Sequence, residues 1–132
     1  MPINDICAAW APRVLSVLRI MTALLLLQHP LSKFWAFPMA MNPPAMFSLY
    51  WFAGAIEIVG GVLLLIGLFT RPVAFILAGE LAFAYFIGHA PRGFYPLTNG
   101  GEPAVLFCFI FFYLAFAGGG PWSADAMLRD RK

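Results

Sequence analysis

Apolar side chains run almost unbroken along four stretches of this chain, at residues 12–28, 45–68, 72–88 and 103–118. A bilayer's hydrocarbon core is about 30 Å thick and takes roughly 17 to 25 apolar residues as a helix. Each stretch begins at or just after proline, namely Pro12, Pro43 with Pro44, Pro72 and Pro103, and glycine or proline lies near three of the four ends. Proline suits the first turn of a helix, and both residue types suit the turn beyond it. The pattern predicts an all-α transmembrane four-helix bundle, with residues 1–132 as a single domain. The first stretch carries Arg19 in its apolar core and shows no small-residue cleavage pattern, so it is read as a retained helix and not a signal peptide.

Composition narrows the class. Hydrophobic residues make up 62% of the 132 and charged residues only 11%, against about a quarter charged in a soluble domain. A net charge of +2 with no basic run excludes nucleic acid as a partner. Cys7 and Cys108 lie too far apart in a membrane arrangement to bridge and are read as free thiols. Arg13, Arg71, Arg129, Arg131 and Lys132 fall on the side of the termini, with Lys33 and Arg92 on the other. The positive-inside rule then places both termini in the cytoplasm, in a bacterial or archaeal inner membrane.

Three ionisable side chains fall where lipid should be: Arg19, Glu57 and Glu80. Counted from the inner face, they lie roughly 9, 16 and 13 Å deep. An unpaired charge there is costly, so Arg19 is expected to pair with at least one glutamate. The other carboxyl is expected to hold a proton, because two carboxylates face one guanidinium. Glu57 shares a stripe of small residues with Ala53, Gly60 and Gly67, and Glu80 shares one with Ala84 and Gly88; both stripes are expected to face the bundle. Near the opposite ends of the helices lie His29, Lys33, His89, Arg92, Asn99 and Glu102. Two histidines without paired spacing predict no metal site, and Glu102 before Pro103 reads as a helix cap. Gly118, Gly119 and Gly120 form no phosphate loop, since the lysine and following helix are missing. With no paired-cysteine motif, haem-ligand pair or serine elbow either, the chain has no intrinsic cofactor, and any redox chemistry must use a borrowed one.

The chain resembles the DoxX family of small four-helix membrane proteins over nearly its whole length. The similarity rests on Arg19, on His29 and Lys33, and on Glu57-Ile58-Val59-Gly60-Gly61 leading to Gly67-Leu68-Phe69-Thr70-Arg71. It extends to His89, Asn99-Gly100-Gly101-Glu102, and Gly118-Gly119-Gly120 with Ser123 and Asp125. Pro30 departs from the family, which usually has glycine after the histidine. The resemblance implies a link to quinone-dependent oxidoreductases, with quinone as a borrowed cofactor and an oxidoreductase subunit as partner. Quinone suits the setting: its tail stays in lipid and its head needs a few buried polar groups such as Arg19, Glu57 and Glu80. Three readings stay open: a redox-linked subunit, a non-enzymatic scaffold or assembly factor, and a small proton-coupled carrier. The carrier would need a homo-oligomer to gain room for alternating access.

Overall fold

The structure, a computed structural model, describes residues 2–131. Helix α1 (Ile3–Trp35) is continuous over 33 residues. At 1.5 Å per residue it is about 50 Å long, well beyond a hydrocarbon core. This corrects the expected 12–28 span at both ends. Pro12 and Pro30 both lie inside the helix. Each deletes one backbone hydrogen bond, a loss that packed neighbours make tolerable in a membrane bundle. The helix stops at Ala36, whose left-handed backbone (φ 58°) returns its N–H to the Leu31 carbonyl. His29 and Lys33 are therefore helical residues, not loop residues.

Helix α2 (Leu49–Ile66) starts at Ser48, whose hydroxyl accepts from the Trp51 N–H, and ends at Gly67 with φ 74°. It is shorter than the expected 45–68 because a turn precedes Ser48. Helix α3 (Thr70–Gly88) follows after three residues. A 3-10 turn (Ala90–Arg92) and the one-turn α4 (Pro96–Asn99) then cross to α5 (Glu102–Ala117), and α6 (Ala124–Asp130) closes the chain.

Helices α1, α2 and α3 are long and apolar enough to cross a bilayer. Helix α5, with 16 residues, is about 24 Å long and packs along α3 in the most extensive helix contact of the molecule. The core between the helices consists of Leu26, Leu64, Leu77, Leu81, Phe111 and Leu114. Large side chains such as Phe75, Phe83, Phe109 and Phe116 point outward, as lipid-facing residues do. This is a multi-pass membrane protein.

Small residues set the helix spacing. A Cβ on Gly61 would come within 2.6 Å of Leu27 Cδ2, and one on Gly60 within 3.0 Å of Leu77. The double glycine of α2 thus seats α1 on one side and α3 on the other. The stripe expected on α3 behaves differently. Ala74, Leu77, Ala78 and Leu81 form its buried face, while a side chain at Gly88 would meet open space. Close packing on α3 is needed against α5, one face round from Glu80.

Candidate functional site

Polar side chains gather at the two ends of the bundle. At the end carrying both chain termini, Arg19 is buried to 1% exposure. Its Nε donates to the Leu64 carbonyl at 2.8 Å, Nη2 to the Trp122 carbonyl at 2.7 Å, and Nη1 to the Gly119 carbonyl. Ser16 joins the same knot, donating to Gly119 O at 3.0 Å and accepting from Trp122 N at 3.1 Å. The expected pairing of Arg19 with a glutamate does not occur. Leu64 is seven residues beyond Glu57 along α2, roughly 10 Å nearer the terminal face. The long side chain turns toward that face, where the end of α2 and the 118–122 loop offer backbone oxygens. A guanidinium satisfied by three carbonyls needs no carboxylate.

Asp125 fastens the same end. Its Oδ1 accepts from Phe69 N at 2.8 Å and its Oδ2 from Thr70 N at 2.9 Å, so a residue of α6 caps α3. Burial pushes this carboxyl up, but the Thr70 and Phe69 amides, the Thr70 hydroxyl and the Arg19 charge outweigh it and hold it below the ordinary carboxylate range. Close approach explains the glycines here. A Cβ on Gly67 would lie 2.4 Å from that of Ser123, and one on Gly120 would lie 2.3 Å from Ser16 Oγ. The glycine triplet is thus a packing surface for Ser16 and Arg19. Carbonyl acceptors leave no mark in residue identity, and these glycines were the available signal.

Glu57 and Glu80 meet across the α2–α3 contact at hydrogen-bonding distance, with Lys33 of α1 close enough to act on both electrostatically. Glu57 is 6% exposed, and each carboxyl keeps one buried oxygen, Oε2, without a partner. Lys33, read as an outer-loop charge, is brought there by the extra turns of α1. Glu80 also lines a groove of about 480 Å³ between α2 and α3, whose other walls include Tyr50, Ala53, Ile56, Phe83 and Ile87. A second apolar hollow of about 380 Å³ shares Ile56 and Ile76 with the first and continues along the same seam. Apart from Tyr50 and Glu80 the residues lining them are apolar.

The other polar residues expected on this side do not converge with the carboxyl pair. Asn99 is buried and organises its loop: Nδ2 donates to Tyr85 Oη at 3.1 Å and to Gly93 O at 3.0 Å, and Oδ1 accepts from Gly101 N. His89 Nδ1 lies 3.2 Å from the Asn99 carbonyl and its ring stacks on Tyr85. His29 is turned edge-on to Phe107 of α5. Arg92 is exposed in the 3-10 turn, and Glu102 is exposed in the first turn of α5. Glu102 makes no cap bond; Gly101 is the N-cap residue and the acidic side chain only complements the helix dipole. Among the described residues no three histidine, cysteine or acidic side chains are grouped to hold a metal ion.

The DoxX family model matches residues 14–90, a segment containing Arg19, Lys33, Glu57 and Glu80. A protein of Haemophilus influenzae, described as uncharacterized, is 43% identical over 122 residues, covering 88% of this chain and 91% of its own length. No solved structure matches.

Proposed function

The chain belongs to the DoxX family, and on that premise we propose that it is a membrane subunit holding a quinone for a quinone-dependent oxidoreductase. The observation that carries this reading is Glu80, which meets Glu57 and lines an apolar groove between α2 and α3. Small-molecule sites generally combine about 300–1,000 Å³ of mostly apolar space with a few convergent polar groups. The groove matches the volume and the apolar lining, and Glu80 supplies a polar group. Its second hollow supplies an apolar track for a lipid-soluble tail.

A bound quinone supplies the two-electron chemistry, and the chain's own residues bind it and handle protons. Two carboxyl groups meeting in hydrocarbon hold one proton between them, because ionising both places like charges side by side. Glu80 thus presents either a donor or an acceptor to a ligand oxygen, with Glu57 behind it as the second proton holder. Lys33 balances the remaining negative charge and links the pair toward the loop end of the bundle. In this reading electrons pass between the quinone and a partner subunit. The excess of arginine on the terminal face supports an orientation with both termini in the cytoplasm of a bacterial or archaeal inner membrane.

The test is to purify the protein from its native membrane in mild detergent and extract its bound lipids. Quinone should accompany the wild type and fall off in Ala53→Phe, which fills the groove, and in Glu80→Leu, with melting temperatures recorded as a folding control. Equal quinone in folded Ala53→Phe and wild type would dismiss the groove as its site.

A further inference from the structure

A second hollow, of about 850 Å³, opens at the terminal end of the bundle between α1, α3 and α5. Unlike the α2–α3 groove it has two cationic walls, Arg71 and Arg129, and a polar floor at Thr70 and the glycine triplet. The Arg71 guanidinium lies across Gly118, where an added Cβ would be 3.2 Å from Nη2. Its only hydrogen bond among the described residues goes to the Phe116 carbonyl, so most of its donors stay available. Thr70 is 0% exposed, and its hydroxyl lies against Asp125, whose carboxyl it helps to hold below the ordinary range.

Asp125 is the one carboxylate on this wall, and both its oxygens are engaged by the Phe69 and Thr70 amides. On the opposite side Ala8, Ala11 and Leu15 of α1 are apolar. The depth is marked by Trp10 and Arg13 in the same turns of α1, with the guanidinium 5.1 Å from the indole centroid. Tryptophan and arginine at a helix end belong to the headgroup belt. The hollow therefore offers cations at headgroup depth beside an apolar strip.

We infer that this hollow binds the phosphate of an anionic phospholipid, held by Arg71 and Arg129, with an acyl chain along α1. Basic pockets between membrane helices recognise such headgroups through point charge and hydrogen bonding. A free phosphate ion shares the headgroup chemistry but has no use for the apolar strip, and the proposal commits to the lipid.

Native mass spectrometry of the full chain from mixed micelles, offered phosphatidylglycerol or phosphatidylcholine, tests this. Phosphatidylglycerol should be retained preferentially, and Arg129→Gln should weaken it roughly fivefold. Arg129 lies in the exposed tail helix, so this change leaves the bundle intact where Arg71→Gln disturbs the Phe116 contact. Equal retention of the two lipids, or unchanged selectivity in Arg129→Gln, would overturn the inference. So would millimolar inorganic phosphate displacing the lipid completely, which would identify a simple anion site.

Discussion

A guanidinium inside a membrane needs acceptors, and Arg19 finds three carbonyls from two separate segments, Leu64 on α2 and Gly119 and Trp122 in the closing loop. Arg19→Leu strands these buried oxygens and should lower stability by roughly 3 kcal/mol or more. Glu57→Gln keeps shape and hydrogen bonding and should cost much less. Unfolding in graded detergent mixtures checks the order; equal losses would mean that Arg19 is no closure point. Asp125 gives a pH signature at the same end. Its carboxyl is held below the ordinary range, so its contribution is present above that range and is lost as pH falls through the depressed folded value. The Phe69 and Thr70 amide shifts should titrate with a midpoint below that of free aspartate. In Asp125→Asn the titration should vanish; its persistence would assign it to another group.

At the scale of elements, the double glycine of α2 governs how closely three helices approach. Gly61→Ala drives a methyl against Leu27 and should destabilise by about 1–3 kcal/mol. Gly79→Ala on α3 meets nothing within 4 Å and should be neutral or stabilise by up to about 1 kcal/mol. Thermal melts of the two variants in one detergent compare them, and similar melts would contradict the packing described. The apolar helices and the α2 stripe were legible because hydrophobic runs and small-residue spacing are local signals. The extent of α1 was not. Pro12 and Pro30 read as boundaries, and His29 and Lys33 as loop polarity, because a single sequence does not reveal that neighbours will support a proline inside a helix. Arg19 was legible as buried, but its acceptors were hidden, since any residue type supplies a carbonyl. Lys33 comes within electrostatic reach of Glu57 and Glu80 because α1 continues.

At the scale of the whole molecule the two ends of the bundle differ in kind. The terminal end is closed by Arg19, Ser16 and Asp125, and the opposite half carries the carboxyl pair and a groove open along α2 and α3. A reporter fused after the last residue should read as cytoplasmic and a tag at Asn99 as external, following the arginine asymmetry. The reverse pair of signals would invert the membrane orientation and direct the protons of Glu57 and Glu80 toward the cytoplasm. The central claim is that a quinone occupies the groove beside Glu80, and photolabelling tests it most directly. An azido-quinone irradiated with the protein in nanodiscs should modify peptides covering residues 49–56 and 76–87, and unlabelled quinone should suppress the adducts. Adducts confined to α1 or α5, or adducts that unlabelled quinone leaves undiminished, would contradict it.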